Sequence, residues 1–471
     1  TVEIVDSQLE FYAQEARYLI NYRYDCNEQL ASKLIGLVNY KHLMQYQGKP
    51  FRYDKDVNRI ISRLLKNQNS EFLWSWWDVS PNTSHWMSAH ILRALKFAKD
   101  AGYSVNLNIE NVTRKATYKY EFLKSISFSD VQLMHALALW GADVDYRRYL
   151  KILDAHVRHY DSTVRADEKR YRYKGSSTLN EKLMLLEIRQ LTNLPWHRDS
   201  LIQYKNETIL NEVYFSDDRR SRYWYSGALS SNAIAYRIVA RDSALQNLRL
   251  PMQMYFLSSR GKGSWNTYES STVLMSILPD IMALGASEKV PARVTVSGKQ
   301  NIDITTFPYR LELSEGEALT MRKESGLPLY CMQYVEERVT TAKAGTDGFT
   351  ISTAFDQEKL KAGIPTVLTA SVVVKRDTDL EHVMIEIPIP AGCSYADKRQ
   401  RWNGIETHRE YFKDKTVIFC QRMTPGTYIF QVHLLPRFTG SYHVNPAQIS
   451  LMYFPVINAN VDSMVTEIGS D

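Results

Sequence analysis

Apolar residues recur with a helical period through the first 284 positions of the chain. The pattern predicts helices separated by short polar turns, at residues 9–22, 28–40, 84–101, 130–140, 179–191, 228–239 and 267–278. Successive antiparallel helix pairs either stack as a solenoid or close into a ring, and the lack of a clean short sequence repeat favours the closed ring. We therefore expect no strand in the first two hundred residues.

The pattern changes beyond Gly285. Alternating or β-branched runs predict strands at residues 294–296, 309–313, 350–355, 367–374, 382–389 and 428–434. Ten of the fifteen prolines lie in this part, which is typical of strand edges and turns. A β-sandwich region is therefore predicted, with an internal boundary at the polar stretch 340–348.

Length and charge narrow the class of protein. A chain of 471 residues exceeds the size at which one hydrophobic core keeps growing, so we expect two or three domains. The net charge of +6 is spread along the chain without a long basic arm, and no apolar run is long enough to span a bilayer. Neither nucleic acid nor a membrane span is expected. Because Thr1 is not a natural start and no leader pattern follows it, we expect a segment of a longer protein.

The four cysteines are too few for a disulfide scaffold and are not spaced for zinc, so neither a metal nor a cofactor is expected. Cys393 and Cys420 both fall in the strand-rich part. A disulfide between neighbouring strands is one possibility for them, and two separate thiols is the other.

The candidate chemistry lies at Cys26 and Gln29, where a predicted helix begins. Residues three apart at a helical N-terminus are neighbours, so the cysteine sulfur and the glutamine side-chain carbonyl can meet. Loss of ammonia would join them as a thioester, which an incoming nucleophile opens because thiolate is a good leaving group. The pattern Cys-x-Glu-Gln is short, and a buried inert cysteine is the ordinary alternative.

Segments around this motif resemble the C-terminal half of bacterial alpha-2-macroglobulins. The similar segments are residues 21–29 (the thioester segment), 72–77 and 84–92 (a turn rich in tryptophan and the next helix), 264–271 (the start of the final helices), and 446–449 and 452–455 (the closing strands). The resemblance covers nearly the whole chain. Asp25 and Asn27 depart from it, because the family often has glycine on one or both sides of the cysteine.

The resemblance implies a multidomain fold, all-α followed by all-β. Residues 1–284 would form an α/α toroid of helix hairpins, the thioester domain. Residues 285–340 would form a partial, CUB-like β-sandwich, whose other strands come in relatives from upstream of the thioester domain. Residues 341–471 would form a macroglobulin-like β-sandwich.

The resemblance also implies a protease trap, an endopeptidase inhibitor rather than an enzyme. The trap would attach covalently through a thioester between Cys26 and Gln29, with Glu28 completing the motif. Its partners would be proteases, other lysine-bearing proteins, and upstream macroglobulin and bait domains of the same protein. We expect it outside the cytoplasm, in the periplasm or at the outer surface of a bacterium.

Accessory roles are assigned to aromatic and histidine residues near the motif. Tyr24, Trp74, Trp76 and Trp77 are candidates for a shield that keeps water from the thioester, although core packing is the commoner role of such residues. Some complement relatives redirect the thioester to hydroxyl groups through a histidine, and the candidates here are His85 and His90. A packed histidine is the alternative for both.

Two other functions stay open. A helical ring followed by β-sandwiches is also the outline of certain polysaccharide lyases and glycosidases, which use paired carboxylates or a Tyr-His-Arg cluster. Asp143 with Asp145, and Asp217 with Asp218, are the close acidic pairs, and their Arg and Tyr neighbours are typical of solvated helix starts or loops. A structural module whose thioester has decayed is the third interpretation.

Overall fold

The structure is a computed structural model of the chain. It describes residues 1–471 except 6–7, 78–81, 122–125, 172–175, 218, 220–224, 226, 262–264, 285–292, 299–300, 315, 317, 326–328, 335–347, 376–379, 399–404, 453 and 471. The chain divides into two compact units, Thr1–Val335 and Glu336–Asp471, and each is described by itself.

The first unit holds twelve α-helices within the described ranges. They are α1 (Gln8–Asn21), α2 (Asn27–Tyr46), α3 (Asp54–Lys66), α4 (His85–Asp100), α5 (Ile109–Glu121), α6 (Phe128–Trp140), α7 (Tyr146–Tyr171), α8 (Leu179–Leu191), α9 (Asp199–Ile202), α10 (Ala228–Arg241), α11 (Arg249–Gly261) and α12 (Thr267–Leu284). All seven predicted helices are among them.

The even-numbered helices α2, α4, α6, α8, α10 and α12 form a closed inner ring. Each contacts the next, and α12 returns to contact α2. The outer helices α1, α3, α5, α7 and α11 each pack against a neighbouring inner helix. The prediction of a ring of helix pairs rather than an open solenoid is therefore confirmed.

The sequence explains which helices are inner and which are outer. In α6, nearly every side chain from Phe128 to Ala138 is buried, as expected for a helix that is apolar on most sides. In α3, by contrast, only one stripe is buried, at Val57, Ile60, Ile61 and Leu64. That i, i+3, i+4, i+7 spacing gives one buried face and leaves the other face to solvent.

Every junction of the inner ring carries a buried or partly buried side-chain hydrogen bond of 2.7 to 3.0 Å. The bonded pairs, in order around the ring, are Glu28 with Thr267, Ser32 with His90, Arg93 with Gln132, His135 with Glu187, Glu187 with Arg237, and Arg237 with Ser276. Buried polar groups in a ring this tightly packed are stabilising only when they are paired. The pairs thus fix the register of neighbouring helices.

His135 and Glu187 form the central pair of this network. The Nδ1 atom of His135 accepts from Arg93 Nε at 3.3 Å, so Nε2 carries the proton and donates to Glu187 at 2.8 Å. Burial lowers the pKa of His135 to about 4, so the His135 imidazole is neutral at pH 7. Burial alone would raise the pKa of Glu187, but Arg237, His135 and Arg241 hold it well below its usual value.

The β-part of the first unit comprises two three-stranded sheets and a hairpin. Its strands are β1 (Val2–Val5), β2 (Lys205–Glu207), β3 (Val213–Phe215), β4 (Arg293–Ser297), β5 (Asn301–Ile304), β6 (Tyr309–Leu311), β7 (Thr320–Ser325) and β8 (Tyr330–Gln333). The sheets have the orders β6-β1-β8 and β5-β4-β7, and β2 pairs with β3. A small apolar core includes Val2 and Ile4 of β1 together with Val294, Val296 and Ile304.

The prediction that the first two hundred residues hold no strand is wrong. Strand β1 lies between β6 and β8, with Val2 opposite both Leu311 and Gln333. Its partners lie more than three hundred positions away, so four residues before a helix carry no local signal of this pairing. The β2–β3 hairpin likewise interrupts the predicted all-α segment.

The second unit is built of sheets whose strand pairs are antiparallel, except for one parallel pair. Its strands are β9 (Phe349–Phe355), β10 (Leu360–Lys361), β11 (Thr366–Val374), β12 (Leu380–Pro388), β13 (Cys393–Tyr395), β14 (Glu406–Tyr411), β15 (Lys415–Met423), β16 (Gly426–Pro436), β17 (Gly440–Val444), β18 (Gln448–Leu451), β19 (Phe454–Asn460) and β20 (Met464–Gly469). The two larger sheets have the orders β13-β16-β11-β9 and β14-β15-β12-β18-β19, and they share one hydrophobic core. In the smaller sheet, β10-β20-β17, strand β10 runs parallel to β20. Strand β11 shows the strict alternation of buried and half-buried positions that predicted it.

Cys393 and Cys420 lie in different sheets of the second unit, and both are thiols, so a disulfide between neighbouring strands is wrong. The domain limits predicted at 284/285 and 340/341 adjoin or fall within residues 285–292 and 335–347, which lie outside the described residues. None of the helices described combines the length and apolar character that crossing a bilayer requires.

Candidate functional site: the start of helix α2

Cys26 is the N-cap residue of α2, and Gln29 is the third residue of the helix. The two form a capping box, in which each side chain faces the other residue's backbone N–H. Gln29 Oε1 accepts from the Cys26 backbone N–H at 3.1 Å. Both residues are almost completely buried, with 1% and 2% of their surfaces exposed. The structure thus brings the two predicted thioester residues together on one helical turn.

The nitrogen of the Gln29 side chain is the exception in this well-bonded turn. Its Nε2 atom is buried and has no hydrogen-bond partner among the residues described. Leaving a buried polar group unpaired costs about 1–3 kcal/mol. The site therefore holds an amide whose oxygen is fixed and whose nitrogen is not.

Glu28 is completely buried and ties the start of α2 to the start of α12. Its carboxylate accepts from Thr267 Oγ1 at 2.9 and 3.1 Å and from Ser32 Oγ at 2.6 Å. Thr267 is the first residue of α12. The bonds hold two helix N-termini side by side at the candidate site.

Asp25 and Asn27, which stand where the family often has glycine, are both bonded through their side chains. Asp25 forms ion pairs with Lys33 at 2.6 Å and Arg63 at 3.2 Å. Asn27 lies at the junction of α2, α3 and the segment that follows α3. Side-chain contacts, rather than glycine flexibility, therefore fix the backbone on both sides of Cys26.

The aromatic candidates occupy different environments. Tyr24 is buried and contacts Tyr22 edge to face at 5.9 Å. Trp74 is fully buried, and its Nε1 atom donates to the Leu64 carbonyl of α3 at 2.6 Å. Trp76 and Trp77 are half-buried. A shielding role for Tyr24, Trp74, Trp76 and Trp77 stays a prediction.

Trp76 belongs to an aromatic stack that the sequence did not reveal. Its ring stacks on Trp86 at 5.5 Å, and Trp86 stacks on Tyr225 at 4.8 Å. Trp86 also lies against Tyr268 of α12 at 5.3 Å. The Trp76 carbonyl accepts from the Asn27 backbone N–H at 3.1 Å, so this stack adjoins the candidate thioester segment.

The two candidate relay histidines point to other partners. His85 Nδ1 lies 2.5 Å from Asp130 Oδ1, at the start of α6. His90 Nε2 lies 3.0 Å from Ser32 Oγ and 3.9 Å from Glu28 Oε1. Burial, followed by the charge of Arg93, lowers the pKa of His90 to about 3. His90 is therefore a neutral member of the Glu28 network, and a relay role for either histidine stays a prediction.

The acidic pairs considered for glycan chemistry have structural contacts. Asp145 Oδ1 accepts from the Arg148 backbone N–H at 3.0 Å, at the start of α7. Asp217 accepts from Ser177 Oγ at 2.9 Å, and Asp218 lies outside the described residues. In the part of the chain that the structure describes, no three histidine, cysteine or carboxylate side chains gather as a metal site requires.

Sequence reasoning missed several residues that shape the site. Ser32, Asn67, Trp86 and Thr267 contact the motif or its neighbours but were not singled out. Ser32 had a signal, because a serine one turn after Glu28 in a helix apolar on most sides indicates a buried polar contact. Thr267 also had a signal in the sequence, because it lies in segment 264–271, which resembles the start of the final helices in the family.

The start of α12 carries a second carboxylate, that of the half-buried Glu269. It forms a capping box with Asn266, whose backbone N–H donates to Glu269 Oε2 at 3.2 Å, while the Glu269 backbone N–H donates to Asn266 Oδ1 at 2.9 Å. Burial raises the pKa of Glu269 to about 7. As the pH falls from about 7 towards 4.5, the Glu269 carboxyl therefore takes up a proton in the folded protein while it stays ionised in the unfolded chain.

Acid should weaken the helical unit, and Glu269 should partly offset the loss. In the unfolded chain His90 and His135 take up protons near pH 6.5, whereas in the folded protein they stay neutral down to about pH 4. Their contribution to the free energy of unfolding is therefore complete above pH 6.5 and falls by about 2 kcal/mol each by pH 5. Glu269 has a raised pKa in the folded state, so its protonation stabilises the fold as pH falls below 7, by about 2–3 kcal/mol at pH 5. For these three groups the net loss between pH 8 and pH 5 is therefore about 1–2 kcal/mol.

Glu269→Gln removes the offset while keeping a side-chain acceptor for the Asn266 N–H. For the variant we expect the loss between pH 8 and pH 5 to grow to about 4 kcal/mol. Denaturant unfolding of the helical unit at the two pH values measures this difference. An equal loss in the variant and the unmodified protein would contradict the assignment of Glu269.

Comparison with known proteins finds a family match for most of the second unit. Residues 335–455 match the family model described as "Bacterial Alpha-2-macroglobulin MG10 domain". This segment belongs to that family. The resemblance to bacterial alpha-2-macroglobulins predicted from the sequence is confirmed. A segment of 114 residues is 31% identical to the alpha-2-macroglobulin of Escherichia coli (strain K12), covering 22% of this chain and 7% of that protein.

Solved structures match over 99% of the chain. Native E. coli alpha-2-macroglobulin, from domain MG7 to the C-terminus, aligns with a TM-score of 0.68 at 15% identity, over 76% of that chain. Salmonella alpha-2-macroglobulin reacted with methylamine aligns at 0.66 and 15% identity, over 31% of that chain. The native conformation of the E. coli protein aligns at 0.66 and 16% identity, also over 31%. The fold is therefore that of the bacterial alpha-2-macroglobulin C-terminal region, and the chain spans about a third of the longer relatives.

Proposed function

We propose that the chain is the thioester-bearing part of a protease trap, an endopeptidase inhibitor that attaches covalently to its targets. One observation carries the proposal. Cys26 and Gln29 are buried on one helical turn, and the Gln29 amide nitrogen makes no hydrogen bond within the described structure. That nitrogen is the atom that leaves when a thioester forms.

The bond forms and opens in two balanced steps. The Cys26 sulfur attacks the Gln29 side-chain carbonyl carbon, the thiol proton passes to the amide nitrogen, and the carbon–nitrogen bond breaks to release ammonia. Later an amine attacks the same carbon, loses a proton, and displaces Cys26 as the thiol. Loss of ammonia also removes the buried, unpaired Gln29 Nε2 donor, and this favours formation of the thioester.

Burial protects the bond between these two steps. A thioester is kinetically stable only while water is excluded, and both residues are almost completely buried. Tyr24, Trp74, Trp76 and Trp77 are the proposed shield, with His85 or His90 as the proposed relay. Because the acyl group is consumed once, the protein acts as a trap and not as an enzyme.

The proposed partners follow from this chemistry and from relatives. Lysine amines of proteases and other proteins are the proposed nucleophiles, and the similar Salmonella protein is one that was reacted with methylamine, a small amine. Upstream macroglobulin and bait domains of the same protein complete the trap. A trap for foreign proteases belongs outside the cytoplasm, in the periplasm or at the outer surface. Of the predicted domains, residues 1–284 are the thioester domain, 285–340 the CUB-like segment and 341–471 the last macroglobulin domain.

Intact mass tests the proposal. The purified protein should be lighter than its sequence mass by one ammonia. Methylamine should raise that mass by one whole methylamine, to one CH2 group above the sequence mass, label Gln29 as its N-methylamide and expose one new thiol at Cys26. A full sequence mass before treatment, with no methylamine uptake, would contradict the thioester and support the alternative interpretation, a structural module whose thioester has decayed. Turnover of a polyanionic polysaccharide would instead support the lyase or glycosidase alternative.

A further inference from the structure

We propose that Asn27 and Asn67 form a clamp that sets the lifetime of the buried Cys26–Gln29 bond, by closing the segment 67–77 over the start of α2. This inference rests on the proposed function, which it deepens by naming positioning residues for the reaction. The clamp joins three parts of the fold. Asn27 is the first residue of α2, Asn67 is the C-cap of α3, and Ser75 with Trp76 belongs to the segment that leads to α4.

The polar atoms of Asn27 that face the other two parts are all bonded. Its backbone N–H donates to the Trp76 carbonyl at 3.1 Å, and its Nδ2 donates to the Ser75 carbonyl at 3.0 Å. Its Oδ1 accepts from Asn67 Nδ2 at 2.8 Å. Asn27 and Asn67 are 1% and 6% exposed, so these bonds do not compete with water. A buried side chain with matched donors and acceptors fixes its neighbours strongly.

The clamp holds Trp76 where it can cover Cys26. The rest of the segment is fastened elsewhere, since the Trp74 backbone N–H donates to Ser88 Oγ at 2.9 Å and Trp74 Nε1 reaches α3. The bonds of Asn27 therefore join the tryptophan segment to the residue next to the thioester. When they break, the segment can move away from Cys26 while staying attached to α3 and α4.

The clamp gives a physical reason for Asn27, in place of glycine, directly after Cys26. Glycine after the cysteine would keep the backbone bond to Trp76 but would lose both side-chain bonds. It would also leave Asn67 Nδ2 and the Ser75 carbonyl without these partners. Hydrolysis of a buried bond proceeds from the open state, so its rate follows the population of that state.

The experiment compares Asn27→Gly, Asn67→Ala and the double variant of the full chain. We expect the rate of spontaneous thioester hydrolysis, followed by intact mass, to rise about tenfold in each single variant, equivalent to about 1.4 kcal/mol. Because the two residues act as one clamp, the double variant should decay no faster than about twice either single variant. Asn39→Ala, which removes another buried asparagine of α2, is the matched control and should decay at the original rate.

A second readout keeps the clamp separate from the thioester itself. The labelling rate of the Cys26 thiol by iodoacetamide, after methylamine release, reports the same opening and should rise about tenfold in the single variants. Unchanged hydrolysis and labelling, or a hundredfold multiplicative effect in the double variant, would overturn the clamp. A full sequence mass in the unmodified protein would overturn the proposed function, and Cys26 labelling alone would then decide whether the clamp exists.

Discussion

Cys26→Ala is expected to abolish methylamine incorporation completely while leaving the helical ring folded. The sulfur is one of the two atoms that the proposed thioester joins, so without it Gln29 stays an ordinary amide that amines do not attack. The substitution removes one small side chain at a helix N-cap, which costs about 1 kcal/mol. Incorporation is measured with labelled methylamine, and folding by circular dichroism of the same samples.

Two controls make the result specific. Cys26→Ser keeps a favourable N-cap side chain in the capping box and should also incorporate nothing, which separates chemistry from helix stability. Cys420→Ala removes an equally buried thiol in the second unit and should incorporate methylamine normally. Equal labelling of the unmodified protein and Cys26→Ala would refute the thioester.

Glu187→Ala should be the most damaging single substitution for the stability of the helical unit, by about 3–5 kcal/mol. The carboxylate accepts from Arg237 at 2.7 and 2.8 Å, from Arg241 at 2.6 Å and from His135 at 2.8 Å. Removing it leaves buried charge uncompensated and opens two successive junctions of the inner ring. Denaturant unfolding, followed by the helical signal, measures the loss.

Two comparisons identify the cause. Glu187→Gln keeps the size and one acceptor but loses the charge, and we expect it to fall between the unmodified protein and the alanine variant. Glu406→Ala breaks a similarly buried pair with Arg409 in the second unit and should leave the helical transition unchanged. A change below about 1 kcal/mol for Glu187→Ala would mean that the network does not hold the ring.

The sequence predicted those features that leave a local, periodic trace. The seven predicted helices are present because their apolar positions repeat at the helical period, and β11 is present because its side chains alternate. The pair Cys26 and Gln29 was found for the same reason, since a spacing of three residues at a helix start has a fixed geometry.

Features that depend on distant partners were not predictable from one sequence. Thr267 meets Glu28 across 239 positions, and Asn67 meets Asn27 across 40. Neither contact changes the hydrophobic pattern of its own helix. Glu187 was hidden in the same way, because a carboxylate in an amphipathic helix does not show that two arginines and a histidine converge on it.

The position of β1 governs the order in which the protein can assemble during synthesis. Val2–Val5 leaves the ribosome well before its partners β6 and β8, which begin at Tyr309 and Tyr330. At translation rates of about 5–20 residues per second, the strand waits about 15–60 s for β6. All of the helical ring is made in that interval, so the ring can close before the sheet does. Until the last strand of that sheet emerges, the nascent chain therefore carries a strand with two unpaired edges, which is a substrate for chaperones.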